Sequence, residues 1–235
     1  MTNAPTCARH PDRETWVSCS RCSNPICPDC MHEAPVGFHC PDCLAEAKRT
    51  VRQIKVRTAK VTNTLIAICV AVFVYGTLNP ELDLNFGVAG YPVFELGEYY
   101  RLVTAMFLHA GIIHIAFNML VLHQLGTPLE LKLGSAKFSV IYFASGLGGS
   151  IASVLLNDPF TLSVGASGAI FGLMGAYFVV ARSLRLDASQ IRVMIGINLV
   201  IGFVIPGIDW HAHLGGLVVG AAVTALIHRV FPSWG

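Results

Sequence analysis

The chain has 235 residues, 54% of them hydrophobic and only 13% charged, with a formal net charge of +2. Soluble domains carry about 25% charged residues, so this composition argues against an ordinary soluble enzyme and for a multi-span membrane protein. The net charge excludes little by itself, because the charges are unevenly spread.

The first forty residues lack an apolar h-region, so no signal peptide is expected. They hold instead a polar, cysteine-rich head. Seven of the eight cysteines fall before residue 45, and Cys69 alone lies in an apolar run, where it reads as an inert core thiol. Pairs recur with a two-residue gap: Cys7/His10, Cys19/Cys22, Cys27/Cys30 and Cys40/Cys43. Eight ligands suffice for two tetrahedral zinc sites, and the short gap lets both members of a pair reach one ion. The pattern resembles a B-box or another cross-brace zinc module. Cys7, His10, Cys27 and Cys30 are assigned to one site, and Cys19, Cys22, Cys40 and Cys43 to the other. Sequential pairing is the alternative, and His32 or His39 can replace a ligand. Some forty residues cannot build a sufficient core, so the zinc is expected to be structural and required for folding. The head, residues 1–45, offers a surface for a cytosolic protein partner. Its few basic residues, Arg9, Arg13 and Arg21, argue against nucleic acid.

A basic linker, 46–60, follows with Lys48, Arg49, Arg52, Lys55, Arg57 and Lys60. The rest, 61–235, reads as an all-α polytopic body. A helix crosses the hydrocarbon core with about 20 apolar residues. Six spans are predicted at 62–78, 111–126, 138–156, 167–181, 191–206 and 211–231, several of them short. The basic cluster before span one sets the N-terminus in the cytoplasm. Lys132 and Lys137 between spans two and three, Arg182, Arg185 and Arg192 around the next inner loop, and Arg229 near the end then all fall inside. Six spans return the C-terminus to the cytoplasm, and the reducing cytosol argues against disulfides in the head. The outer segment 79–110, with Glu98-Tyr99-Tyr100-Arg101, is either a structured loop in the membrane interface or a plain surface loop.

Gly165-Ala166-Ser167-Gly168-Ala169 opens span four at the outer side. The apolar pattern already runs through Thr161-Leu162-Ser163-Val164, so the helix is expected to start below the membrane surface. Irregular backbone at that depth is tolerated where it is buried in protein or lines a wet cavity. Ser167 would then sit at a helix N-terminus, whose free N–H groups and dipole favour negative charge. A nucleophile beside an anion-stabilising pocket is what acyl transfer requires. The base is expected from span six, Trp210-His211-Ala212-His213-Leu214-Gly215-Gly216. His213 lies deeper than His211 and shares a face with Gly216, Leu217 and Gly220. Gly168, Gly172 and Gly175 recur similarly on span four, and small residues let membrane helices approach closely. In span two, His114 and Asn118 share a face at an offset of four. Both can donate to an oxyanion together with the Ser167 N–H. Asp158 and Asp209 lie in outer loops, and Asp209 is expected to be solvated. A Ser167–His213 dyad is therefore predicted, oriented by packing against Phe171.

These residues resemble the rhomboid proteases. The family pattern opens the catalytic helix with Gly-x-Ser-Gly and carries Ala-His-x-x-Gly-x-x-x-Gly on the last helix, after a His-x-x-x-Asn helix. Here the three read Gly165-Ala166-Ser167-Gly168, Ala212-His213 with Gly216 and Gly220, and His114 with Asn118. The likeness covers about residues 61–231 and leaves the head out. It implies a six-helix bundle that hydrolyses a peptide bond in or near the transmembrane segment of another protein within the bilayer. It also implies Ser167 as nucleophile, His213 as base, His114 and Asn118 at the oxyanion, and no metal in catalysis. Glu130 looks like the family's acidic residue closing the second helix. Two departures are Tyr100-Arg101 for the family's Trp-Arg, and Phe171 where Tyr is usual.

Blander readings apply elsewhere. Ser145, Ser150 and Ser153 near glycines read as packing, as do His109 and His123, and Tyr142 and Tyr177 read as structural. An inactive rhomboid-like binding protein would be expected to lose Ser167 or His213, and this chain keeps both. A metal transporter or intramembrane metalloprotease built on His109, His114, His211 and His213 is a third class, whose metalloprotease version lacks His-Glu-x-x-His and is expected to have no buried carboxylate partner.

Overall fold

In the computed structural model, residues 4–53 and 58–231 are described, with the backbone alone for 50–53. The chain divides between Arg57 and Thr58 into two units. Lys55 and Arg57 of the expected linker lie outside the described residues.

The N-terminal unit pairs β1 (Thr6–Cys7) with β2 (His10–Glu14), and β3 (His32–Glu33) with β4 (Phe38–His39), both antiparallel. Helix α1 (Pro41–Gln53) follows, with Pro41 at its first position, where a missing N–H costs nothing. It carries residues 46–53, expected as linker, so that stretch is helical. Cys7, Cys19, Ile26, Cys27, Cys30, Cys40 and Cys43 form the buried cluster, with Met31 packed against it. One isoleucine and one methionine are too little apolar core to offset the chain entropy of such a unit.

The second unit begins with α2 (Lys60–Leu78). Three short helices follow, α3 (Leu82–Phe86), α4 (Gly90–Phe94) and α5 (Arg101–Thr104), then a 3-10 turn at Ala105–Phe107. The segment after α2 is thus the structured alternative rather than a plain loop. Arg101, 7% exposed, holds it together. Its Nε donates to Glu98 at 2.5 Å, and its Nη1 donates to the carbonyls of Leu84 at 2.7 Å and Gly87 at 2.9 Å.

The long helices are α6 (Ile112–Leu133), α7 (Ser135–Leu156), α8 (Ser167–Ser183), α9 (Ser189–Val204) and α10 (Trp210–Val230). Helices α2, α6, α7 and α10 are long and apolar enough to cross a membrane; α8 and α9 are shorter, at 17 and 16 residues. Val74, Phe117, Ile151, Val200, Val218 and Leu226 are exposed on them, an apolar surface suited to lipid. The predicted second span stopped at 126, but α6 runs on through Pro128 to Leu133. Lys132 and Lys137 therefore lie on helix ends, not in a loop. Gly134, at φ +83°, is the whole connection between α6 and α7. The reason is Glu130, which is buried. Its carboxylate accepts from the N–H groups of Val61 and Thr62, at 2.9 and 2.8 Å. It also accepts from the Thr62 hydroxyl at 2.9 Å and the Ser135 hydroxyl at 2.6 Å. One ion thus satisfies the free N–H groups at the start of α2 and joins that end to the α6–α7 corner.

Helices α7, α8 and α10 pack most closely, through glycines. A Cβ on Gly216 or Gly220 of α10 would run into the carbonyl of Gly168 or Gly172 of α8. One on Gly175 would stand 2.6 Å from the Leu217 carbonyl oxygen, and one on Gly149 of α7 2.8 Å from that of Ala212. Gly216→Ala is therefore expected to force α10 off α8 and to destabilise the fold by about 1–3 kcal/mol, the usual range for overpacking. A lower thermal unfolding midpoint in detergent, followed by circular dichroism, checks this; an unchanged midpoint contradicts the packing argument.

Candidate active site

The segment leading into α8 is extended rather than helical, and two contacts hold it. Val88 and Ser163 form an antiparallel bridge, and the Gly165 N–H donates to the Ala105 carbonyl at 2.9 Å. Gly165 takes φ +132°, open to glycine and rarely to other residues. This turn starts the helix at Ser167, so the serine stands among first-turn N–H groups that have no intrahelical partner.

His213 lies one turn into α10 and is 8% exposed. Its Nε2 is 3.0 Å from the Ser167 Oγ. Its ring stacks on Phe171, with centroids 4.1 Å apart and planes 11° apart. Its Nδ1 is buried and has no hydrogen-bond partner among the described residues. A proton on Nδ1 leaves the Nε2 lone pair to accept from the serine hydroxyl. Gly202 of α9 backs this nitrogen, and a Cβ there would stand 3.2 Å from it. The hydroxyl–imidazole pair is thus held by packing, with no carboxylate bonded behind it.

His114 and Asn118 face the same place from α6. A Cβ on Gly165 would lie 2.9 Å from the His114 Nε2 and 3.7 Å from the Ser167 Oγ, so ring and hydroxyl flank one glycine. The Asn118 amide donates one N–H to the His114 carbonyl at 2.9 Å, which fixes its direction and leaves its second N–H. His109, expected as packing, is 4% exposed with its ring 5.2 Å from that of His114. A cavity of about 20 Å³ adjoins Ser167, room for one water. Ser150, Ser153, Ser163, Gly165 and Ala212 are among its lining.

One expectation is overturned. Asp209 is not solvated: its side chain is 13% exposed. It caps α10, its Oδ1 accepting from the Ala212 N–H at 3.0 Å. The signal was legible, since Asp three residues before that N–H is a preferred N-cap. His211, read as an interfacial neighbour, stacks on Trp210 and bonds through Nδ1 to the Asn157 Oδ1 at 2.6 Å.

In the N-terminal unit, the interleaved grouping forms rather than the sequential one. Cys7, His10, Cys27 and Cys30 present donor atoms within 4.8 Å of one another, and so do Cys19, Cys22, Cys40 and Cys43. His32 and His39 pair with each other across β3 and β4, outside both groups. The His10 Nδ1 lies 3.8, 3.3 and 3.4 Å from the Cys7, Cys27 and Cys30 sulfurs, and the Cys22 and Cys40 sulfurs are 3.8 Å apart. A tetrahedral ion with metal–sulfur and metal–nitrogen bonds of about 2.3 and 2.0 Å sets its donors about 3.5–3.8 Å apart. Both groups can therefore hold a metal ion. Burial raises the Cys7 and Cys19 thiols, but backbone hydrogen bonds outweigh it and bring each down to about 6.

Comparison with known proteins agrees in one direction. The family model described as "Rhomboid domain" matches residues 96–230. The chain is 38% identical over 194 residues to "Rhomboid protease GluP" of Bacillus subtilis, covering 77% of this chain and 38% of that protein. It is 42% identical over 135 residues to "RHOMBOID-like protein 6, mitochondrial" of Arabidopsis thaliana, covering 54% and 43%. It is 36% identical over 165 residues to "RHOMBOID-like protein 7" of Arabidopsis thaliana, covering 66% and 52%. The chain thus spans about two fifths to one half of the length of these relatives.

The stacked ring under His213 gives a test. Phe171→Leu keeps the site apolar but removes the flat face, and such ring pairs are worth about 0.5–1.5 kcal/mol. A serine-directed fluorophosphonate is expected to label Ser167 about three- to tenfold more slowly in this variant, by the same range. Labelling at the wild-type rate would show that the stack does not orient the imidazole.

Proposed function

The chain belongs to the rhomboid family, and from that premise we propose that it is an intramembrane serine protease. It cleaves a peptide bond in or near the transmembrane segment of other membrane proteins, within the bilayer. The observation that carries this reading is the 3.0 Å contact between the Ser167 Oγ and the His213 Nε2 at the ends of two helices.

The chemistry follows from those positions. The Ser167 oxygen attacks the scissile carbonyl carbon while the His213 Nε2 takes its proton. The carbonyl oxygen becomes an oxyanion, received by the Ser167 N–H, the His114 imidazole N–H and the second Asn118 N–H. Removing one such donor typically costs about 10²–10³ in rate. The intermediate collapses as the carbon–nitrogen bond breaks, and His213 returns its proton to the leaving amine. A water molecule, for which the serine-lined cavity has room, then attacks the acyl ester. His213 takes its proton, and Ser167 and a carboxyl product are released. The imidazole packs on Phe171 and Gly202, and no carboxylate hydrogen-bonds its Nδ1 among the described residues, so the unit is a dyad.

The positive-inside pattern puts both termini in the cytoplasm, and the site then opens to the extracytoplasmic side. Residues 1–45 form a zinc module, 46–60 a basic connection and 61–235 the protease domain. Cys7, His10, Cys27 and Cys30 hold one structural Zn²⁺, and Cys19, Cys22, Cys40 and Cys43 the other. The ions replace the apolar core this unit lacks. Its exposed surface serves a cytosolic protein partner.

Ser167→Ala is expected to abolish cleavage of a model transmembrane substrate without changing the thermal unfolding midpoint, and His213→Ala to abolish cleavage while the chain still folds. Cleavage by Ser167→Ala at the wild-type rate would refute the assignment. Plasma mass spectrometry of the purified chain is expected to find two zinc ions, and one after Cys27→Ser. A metal-free wild type that keeps its N-terminal fold would remove the zinc reading.

A further inference from the structure

The dyad joins the first turns of two helices, and helix ends fray. At α8 the approach is pinned by the Val88–Ser163 bridge and by the Gly165 N–H on Ala105. At α10 the preceding chain turns through Gly207 at φ +85° with Ile205 exposed, and Trp210 packs edge-on against Phe203. His213 must nevertheless be held to a few tenths of an ångström, because a hydroxyl at 3.0 Å loses its acceptor if the ring drifts.

We propose that Asp209 is the positioning residue for His213, fixing the imidazole through the first turn of α10. The proposal rests on the dyad reading above. Three observations carry it. The Asp209 Oδ1 accepts from the Ala212 N–H at 3.0 Å, and its backbone carbonyl accepts from the His213 N–H at 3.3 Å, so both bonds close the turn that bears the ring. The second carboxylate oxygen, Oδ2, is buried with no hydrogen-bond partner among the described residues, and the carboxylate lies close to the side chains of Ser153, Asn157 and Ser163. Ser153 belongs to the last turns of α7, and Asn157 directly follows that helix. Ser163 belongs to the bridged segment that delivers Ser167. One carboxylate thus stands between the approach to the base and the approach to the nucleophile. His211 adds a second tie from the same turn, to Asn157 at 2.6 Å. The Ala212 carbonyl in turn sits over Gly168, where a Cβ would stand 3.3 Å from it, so the capped turn rests on the turn that carries Ser167.

What matters in this account is the acceptor at the cap, which asparagine supplies and alanine does not. The test measures fluorophosphonate labelling of Ser167 in the full-length chain in detergent, together with kcat and KM on a model transmembrane substrate. Asp209→Ala is expected to slow labelling and lower kcat about tenfold while KM stays within about twofold, and Asp209→Asn to recover to within about threefold of wild type. Wild-type labelling by Asp209→Ala overturns the proposal. So does an equal loss in both variants, since the charge rather than the cap would then be what His213 needs. Should Asp209→Ala fail to fold, Asp209→Asn decides alone: near-wild-type kcat supports the proposal, and a tenfold loss overturns it. Ser167→Ala runs alongside. If it still cleaves, the dyad reading has failed; if it is dead while Asp209→Ala is normal, only this inference has.

Discussion

Everything at the site depends on two helices approaching without side chains between them. Gly216 and Gly220 of α10 face the backbone of Gly168 and Gly172 in α8, with no room for a Cβ. Inside lipid no hydrophobic gain drives helices together, so close van der Waals contact and polar ties must do it. The same glycines set the register. Gly168 follows Ser167 directly, and Gly216 lies three residues beyond His213, so packing glycine on glycine carries the hydroxyl to the imidazole. The hydroxyl–imidazole contact is a by-product of the packing seam.

Polar groups in the second unit fall into two sets. Glu130 accepts four hydrogen bonds and ties α2 to the α6–α7 corner. Arg101 closes the segment between α2 and α6 onto backbone carbonyls. Each of these charges is held by several hydrogen bonds, as buried charges must be. Around Ser167 the opposite holds: the His213 Nδ1, the Asn118 Oδ1 and both His109 nitrogens are buried without partners among the described residues. Unpaired polar atoms are rare in folded interiors, and besides these the Asp209 Oδ2 and the Tyr142 hydroxyl are buried without partners among the described residues.

The two units solve the problem of stability differently. The membrane-spanning unit relies on helix packing and a large apolar cluster drawn from α2, α6, α7, α8 and α9. The N-terminal unit has almost no aliphatic core, and its buried residues are chiefly the cysteines themselves. Its exposed ion pairs, Arg9 with Asp42 and Arg21 with Glu46, contribute little in water. Metal–ligand bonds are the one strong interaction its donor geometry provides for.

Much of this was legible in the amino-acid order. Apolar run length located the six long helices, and the glycine offsets on spans four and six named the seam. Ser167, His213, His114 and Asn118 stood out because polar groups in apolar segments need a reason. The two-residue gaps picked out the eight residues whose donor atoms gather into two groups able to hold a metal ion. Other features needed three dimensions. The extent of α6 past Pro128 follows from Glu130 meeting the start of α2, a partner 68 residues away in the chain. The interleaved metal grouping, the burial of Asp209 and the cavity lined by Ser150, Ser153 and Ser163 likewise depend on distant segments meeting. Local order sets which residues can share a helix face or reach one ion. Which faces then meet, and which polar atoms are left unpaired, is decided only when the helices close-pack, because each contact there is fixed by all the others.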